Sequence, residues 1–480
     1  MFNFRELIKQ KFLFNFKKKI PIFTEYFFSF FMETIVVLIF ILGYIAITME
    51  HKLKIDKLIP ALLMMALAWT IVALGIDSFT TWFNPHEGKL MGISGMNHLA
   101  KMHLLENTLL HHFGKTAEIL VFLMGAMAIV EMIDHFDGFG TIKKMIKTKS
   151  KLSLLWIICL LAFLLSAIID NLTATIVLIT ILRKILPDQK DRMWFAGFVI
   201  IAANAGGAWT PIGDVTTTML WMAGKVTTGK LISLLALPSL VNILVPLSIA
   251  SFMKAFKGKF TSENETLKVN KNAGLMLYLG LALVIFVPIF KTATHLPPYI
   301  GMMLSLSIFA IVAEVLTKRK FTLTHIEDTE SHSSSSPTMK ALSKIEMPSV
   351  LFFLGILMTV AAMESLGLIY NFGQTVNATI PSDLFVTILG ISSAIIDNVP
   401  LVAASIGMFQ DTPDSSIWHF VAYAAGTGGS MLIIGSAAGV VAMGMEKISF
   451  TWYLKNITLL ALAGYLAGIG VFFLTRAFVS

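Results

Sequence analysis

Apolar runs of about 17–25 residues recur along almost the whole chain, and a helix of that length crosses the ~30 Å hydrocarbon core of a bilayer. Such segments lie at 27–48, 58–77, 117–134, 152–186, 193–224, 231–252, 274–290, 299–317, 346–364, 382–409, 416–446 and 454–474. Composition agrees: of 480 residues 56% are hydrophobic and only 14% charged, against about 25% charged in a soluble domain. The alternating segments of about ten residues that mark a membrane β-barrel are not present. The expected fold is therefore an all-α polytopic membrane protein surrounded by a lipid bilayer. The single cysteine, Cys159, excludes an intramolecular disulfide framework. The net charge of +8 does not imply a nucleic-acid partner, because the basic residues sit mainly in short loops between spans, where they act as topology signals. No cleavable signal peptide is expected, since the basic segment 1–19 is not followed by a short apolar run with a small-residue cleavage site.

Lysines and arginines orient the loops. Loop 141–151 carries Lys143, Lys144, Lys147, Lys149 and Lys151, and loop 183–192 carries Arg183, Lys184, Lys190 and Arg192, so both are expected on the cytoplasmic side. Segment 152–186 then enters and leaves on one face, as a re-entrant hairpin with Asp170 and Asn171 at its tip. The flanks of 382–409 contain Asp383, Asp411 and Asp414 but no Lys or Arg. The Ser-rich loop 318–345 (Lys318, Arg319, Lys320, Lys340, Lys344) is cytoplasmic by the same rule, so hairpin 382–409 opens to the opposite face. Two hairpins pointing at each other describe inverted-topology repeats. Counting back from the basic loop 50–57 places Arg5–Lys19 outside, against the usual bias. An interfacial segment over 20–31, or an extra element before the first span, would each remove that conflict.

The repeat is visible in the residues. Ser166-Ala167-Ile168-Ile169-Asp170-Asn171 recurs identically as Ser393-Ala394-Ile395-Ile396-Asp397-Asn398. Upstream, Phe122–Gly125 resembles Phe352–Gly355; downstream, Gly206-Gly207 and Ile212-Gly213 resemble Gly428-Gly429 and Ile434-Gly435. The expected division is a basic N-terminal segment 1–31, a first repeat 32–253, connecting spans and a flexible Ser-rich linker within 254–345, and a second-repeat core 346–480. The spans 274–317 belong to the second repeat.

A carboxylate at the bilayer centre costs about 2.5–3.5 kcal/mol on insertion scales, and Asp170 and Asp397 each follow an apolar run. Helix capping is one explanation, because Asp and Asn are good N-caps. It does not explain why both tips use a charged residue. The Gly-rich stretches Asn204–Asp214 and Gly426–Ser436 read as breaks in two spans, and unwound backbone at membrane depth is tolerated where it is buried or lines a cavity. Close packing through small residues is the plainer explanation, and it is preferred for Gly439 to Gly444. Around the first break, however, Asn204, Thr210, Asp214, Thr216 and Thr217 are dense in oxygen ligands. Asp170, Asp214 and Asp397 supply negative charge with no Lys or Arg in the same motifs, which suits a cation, with Na⁺ expected at Asp170 and Asp397. Protons and metal ions would compete for these oxygens, and one site opened alternately to each side gives antiport. Glu118, Glu131, Asp134 and His135 flank segment 117–134, where interfacial placement explains them as readily as function. His86, His98, His103, His111 and His112 fall in the expected external loop 78–116. Their spacing fits no zinc motif, and only His111-His112 suggests pH sensing.

These motifs resemble the NhaD-type sodium/proton antiporters, members of the ion transporter superfamily that also contains dicarboxylate carriers. The resemblance runs from about Ile35 and includes Glu50–Lys57, Ala117–Gly140, both Ser-Ala-Ile-Ile-Asp-Asn tips and Asn204–Thr217. It implies paired inverted repeats with a scaffold and a mobile transport domain, a homodimer, and a bacterial inner-membrane location. Carried over, the ion-site residues are Ser166, Asp170, Asn171, Asp214, Thr216, Thr217, Ser393, Asp397 and Asn398, with Ser430 and Ser436 as weaker candidates. The basic extension before Ile35 departs from the pattern.

The expected function is a secondary active Na⁺ or Li⁺/H⁺ antiporter with no cofactor and no enzymatic activity. The alternative is a sodium-coupled dicarboxylate or other anion carrier of the same fold, whose tips typically read Ser-Asn-Thr. A membrane enzyme or a channel is a third class. No nucleophile–base pair, metal-ligand cluster or phosphate loop supports an enzyme, and a channel would not need opposed hairpins.

Overall fold

The computed structural model describes residues 21–84, 88–146, 148–260, 271–318 and 336–479. The basic tail Arg5–Lys19, His86 and most of the Ser-rich linker, including Ser333–Ser335, lie outside the described residues. The chain is a polytopic membrane protein: among the described residues, eight helices are long and apolar enough to cross a bilayer. It divides into two compact units, one of residues 1–116 with 351–372, the other of residues 117–350 with 373–480. Each unit draws on both halves of the sequence.

In the first unit, helices Pro21–Thr48 and Leu58–Leu74 pack together. Val36, Ala68, Val72, Ile76, Phe79, Trp82, Ile93, Leu105, Ala362 and Leu366 form its core. Helix Met347–Ser365 comes close through Gly355, where a Cβ would stand 2.6 Å from the Ala61 carbonyl carbon. The Trp69 indole donates to the Met358 carbonyl at 2.8 Å.

The expectation of an external loop over 78–116 is corrected here. Strands Thr81–Asn84 and Lys89–Gly92 form an antiparallel ribbon, and a single helix then runs His98–His135. Lys101, Leu105 and Thr108 are buried along one face, at the i, i+4, i+7 spacing of an amphipathic helix. The polar residues His98, His103, Glu106 and Lys115 share the exposed side of this helix with Leu99, Leu110 and Phe113, so the stretch is a helix rather than a loop. Lys101 has a structural task, donating to the carbonyls of Asp77 at 3.2 Å and Phe79 at 3.0 Å. Two further helices, Pro337–Lys344 and Leu368–Thr379, replace segments read as linker and flank. The first is capped by Ser336, whose hydroxyl, with that of Thr338, donates to Glu314.

In the second unit, the helices break where the motifs fall. Segment 152–186 is helix Lys151–Ile169 followed, after Asp170, by helix Asn171–Ile185. Segment 382–409 is helix Ser382–Ser392 and helix Asn398–Met408. The two Gly-rich spans are helices Gln189–Gly207 with Val215–Met222, and Ser416–Gly428 with Ala437–Glu446. Helices Thr228–Ala250 and Thr458–Val479 pack closely along their length. Near them Tyr423 and Tyr465 stack at 6.0 Å between ring centroids, Asn242 donates to the Tyr423 hydroxyl at 3.1 Å, and that hydroxyl donates to the Tyr465 carbonyl at 3.0 Å.

Glycine lets the hairpins press onto the broken helices. A Cβ on Gly206 would lie 2.3 Å from the Phe163 carbonyl oxygen, and one on Gly428 would lie 1.9 Å from that of Gly390. Neither neighbour is a side chain that could swing away. Gly206→Ala and Gly428→Ala should therefore each destabilise the protein by about 1–3 kcal/mol or more, read as a lower melting temperature in detergent. Gly229→Ala, with nothing within 4 Å, should leave it unchanged; equal behaviour of all three variants would refute the packing argument.

Candidate functional site

The two halves of the second unit build the same frame. The Ser166 hydroxyl donates to the Ala203 carbonyl at 2.5 Å, and the Ser393 hydroxyl donates to the Ala425 carbonyl at 2.8 Å. Each serine thus ties a hairpin tip to the last turn before a helix break. Within the breaks, Gly207 sits against the Gly213 carbonyl oxygen (2.5 Å from an added Cβ) and Gly429 against that of Gly435 (2.6 Å). The residues that restart the helices have matching extended backbones: Asp214 at φ −149°, ψ 150° and Ser436 at φ −148°, ψ 154°.

Onto this frame the sequence places different side chains. Asp214 is buried and its Oδ2 accepts from the Thr216 hydroxyl at 2.7 Å and from the Asn398 amide at 3.0 Å. Asn398 belongs to the tip of the other hairpin. Asn171, at the first tip, donates to Asn204 Oδ1 at 3.0 Å, and Asn204 donates to Ser436 Oγ at 3.0 Å. Both tips are therefore held through amides, and both connections cross between the halves. Thr210 donates to the Ala167 carbonyl at 2.6 Å and Thr217 to the Asp214 carbonyl at 2.9 Å, holding the unwound backbone. Ser430 donates to the Thr427 carbonyl at 2.7 Å, and Tyr453 donates to the Ser430 carbonyl at 2.7 Å.

Both tip carboxylates act as helix caps. Asp170 accepts from the Thr173 N–H and the Thr173 hydroxyl, each at 2.9 Å. Asp397 accepts from the Val399 N–H at 3.4 Å. The identical hexapeptides nevertheless differ in backbone. Asp170 has φ 75°, ψ 160°, a region that non-glycine residues enter at a cost of about 1–3 kcal/mol. Asp397 has φ −47°, ψ 139°. The first copy is helical up to Ile169, whereas the second leaves the helix after Ser392. Asn398, the neighbour of Asp397, donates to Asp214, and Asn171, the neighbour of Asp170, donates to Asn204, so both tips are bonded to the residues of the first break. None of the described hydrogen-bond partners of Asp170, Asp214, Asn398, Asn204 or Ser436 is a lysine or arginine.

Glu131 faces Lys344 at 3.9 Å and Asp134 is exposed; Glu118 is partly buried on the same helix. His111 and His112 lie edge to face at 5.6 Å on the portion of helix His98–His135 assigned to the first unit. Gly426, read from sequence as the start of the second break, occupies the place of Asn204 in the second half; an added Cβ there would lie 3.5 Å from Asp214 Oδ2. Sequence reasoning missed Glu446, a lone acid in an apolar stretch, which is 1% exposed.

The comparisons bear on this arrangement. The family model described as citrate transporter matches residues 44–419. The chain is 40% identical to sodium/proton antiporter 1 of Arabidopsis thaliana, over 91% of this chain and 71% of that protein. It is 37% identical to sodium/proton antiporter 2 of the same plant, over 90% of this chain and 97% of that one. The Na⁺/H⁺ antiporter NhaD of Vibrio cholerae is 30% identical, with 90% and 89% covered. The chain belongs to the NhaD-type sodium/proton antiporter family. In this family member, the crossed amide links are one feature that joins the two halves.

Asn204 carries one of those links alone. Asn204→Leu removes the acceptor for Asn171 and the donor to Ser436, and should destabilise the protein by about 1–3 kcal/mol. Because Ser436→Ala breaks one of the same bonds, the double variant should lose less than the sum, with a coupling of about 0.5–3 kcal/mol. Strict additivity in thermal unfolding would show that the two side chains do not interact.

Proposed function

We propose that the chain exchanges Na⁺ or Li⁺ for H⁺ as a secondary active antiporter, with cation and proton competing for Asp170, Asp214 and Asp397. One observation carries the reading: the buried Asp214 carboxylate, in the first helix break, accepts from Thr216 and from Asn398 next to Asp397, while Asn171 next to Asp170 is tied through Asn204 to Ser436 in the second break. Mutual repulsion and burial disfavour three unneutralised charges, so the group is served by a bound cation or by protons. Exchange follows if each occupant must leave before the other enters. The names of the plant and Vibrio relatives support the same cargo.

The finer architecture is part of this proposal. The hairpins are read as re-entrant from opposite faces and the halves as inverted repeats, supported by the loop charges and by the matched Ser166 and Ser393 bonds. Alternating access, a homodimer and the division at 32–253 and 346–480 belong to the same reading. A bacterial inner membrane is supported by the Vibrio relative, while the Arabidopsis relatives leave a plant membrane as the competing location. For His111 and His112 a pH-sensing role rests on their adjacency to each other and to the membrane-crossing part of the helix.

An anion carrier is the second reading, favoured by the description of the matching family model. Carboxylates at the tips oppose it, since they repel a dicarboxylate. Everted vesicles separate the two: Na⁺ or Li⁺ should drive proton release, and citrate or succinate should not. Asp170→Asn and Asp397→Asn should each abolish the Na⁺ response; normal exchange in both would overturn the site assignment.

The threonines refine it. Thr216→Val removes a donor to the Asp214 carboxylate, and bonds to charged groups are worth about 1.5–3 kcal/mol, so half-saturating Na⁺ should shift by about tenfold or more. Thr218→Val, which loses a bond to the Pro211 carbonyl, should lower stability without that shift. The same Na⁺ dependence in both variants would remove Thr216 from the site.

A further inference from the structure

Glu446 is buried at the far end of the helix that follows the second break, and is not used by the exchange just described. Its Oε1 accepts from Arg183 Nε at 2.7 Å and its Oε2 from Arg192 Nε at 2.9 Å. Its backbone carbonyl accepts from the Gln189 amide at 3.0 Å. Arg192 also donates to the carbonyls of Leu186 at 2.9 Å and Pro187 at 2.8 Å. The clamp thus joins the end of the second broken helix to the segment between the first hairpin and the first broken helix.

Helix Ala437–Glu446 runs from the site to this clamp. Ser436 caps its start, accepting from the Gly439 N–H at 3.2 Å and from Asn204 at 3.0 Å; Glu446 ends it about 15 Å away. The helix packs on Asn171–Ile185 and Gln189–Gly207, and its buried residues are Ala438, Gly439, Ala442 and Glu446. Apart from the last, that face is nearly smooth. Small residues permit close approach but provide few knobs to fix a helix along its axis. The bidentate carboxylate is the element that can fix it, and a rigid single helix transmits the setting to Ser436.

The opposite end of the unit has a comparable tie. Asp414 accepts from the Thr227 N–H at 2.7 Å and its hydroxyl at 2.8 Å, while the Asp414 N–H donates to the Lys225 carbonyl at 2.8 Å. There the first broken helix, just past Met222, is held to the segment before the second. Each broken helix is therefore fastened at its far end to the other half.

We propose that Glu446 is a positioning residue for the cation site: held by Arg183 and Arg192, it sets the axial position of helix Ala437–Glu446 and so the placing of Ser436 against Asn204. The proposal rests on the antiporter reading of that site. It is tested with purified protein in liposomes, measuring initial Na⁺-driven proton release against Na⁺ concentration, per folded transporter. Glu446→Gln should raise half-saturating Na⁺ by about tenfold, a coupling typical of residues in one network, with little change in maximal rate. Glu446→Asp, which keeps the charge, should recover part of the shift. Arg183 is 44% exposed and leaves Glu446 paired with Arg192, so Arg183→Gln should fold and show a smaller shift in the same direction; it carries the test if Glu446→Gln does not accumulate. Unchanged half-saturation, with rate falling only as folded protein falls, would overturn the proposal. Wild-type protein without Na⁺ response would instead overturn the antiporter reading.

Discussion

A carboxylate buried in a membrane-embedded core persists only where its charge is answered, and Asp214 is the point at which the rest of the second unit is organised to answer it. The Thr216 hydroxyl and the Asn398 amide supply hydrogen to one of its oxygens. Neither donor brings full positive charge, which under the proposed reading leaves the carboxylate to be neutralised by a cation or a proton. An arginine in the same place would neutralise it permanently.

Holding such a group at membrane depth requires broken helices, and broken helices release backbone groups that lipid cannot satisfy. The structure meets this demand with short side chains and with glycine. Ser166, Ser393, Thr210 and Thr217 cover freed or exposed carbonyls, and Gly206 and Gly428 allow backbone to press against backbone. The serines and threonines that resemble cation ligands in sequence thus have a structural occupation as well. The two roles are compatible, since a hydroxyl that donates one hydrogen bond keeps lone pairs for a cation.

Much of this was legible in sequence because membranes impose strong rules. Run length marked the spans, and Gly, Pro and Asp-Asn inside apolar runs marked tips at 170–171 and 397–398 and breaks within 204–214 and 426–436. The helix over 98–116 was not legible, because its histidines and lysines looked like a loop when only overall polarity was weighed, and Lys101 is buried among backbone carbonyls rather than exposed. The crossed links from Asn171 through Asn204 to Ser436 were invisible for a different reason: nothing in either motif says which half it will touch. The same holds for Arg183 and Arg192, whose charges report topology whether or not they also find Glu446.

The two halves of the second unit share a frame of contacts, and their differences explain why one of them dominates the charge. The frame of hydroxyl and glycine contacts is kept in both, but the first half has Asn204 and Asp214 where the second has Gly426 and Ser436. A Cβ on Gly426 would press on the Ala208 side chain at 3.2 Å and touch Asp214 Oδ2 at 3.5 Å. The identical tips diverge too: Asp170 has φ 75°, ψ 160° and accepts from both donors of Thr173, whereas Asp397 has φ −47°, ψ 139° and accepts from the Val399 N–H. The same six residues are thus bent differently by what packs around them, so the sequence identity of the tips does not carry over to their backbone.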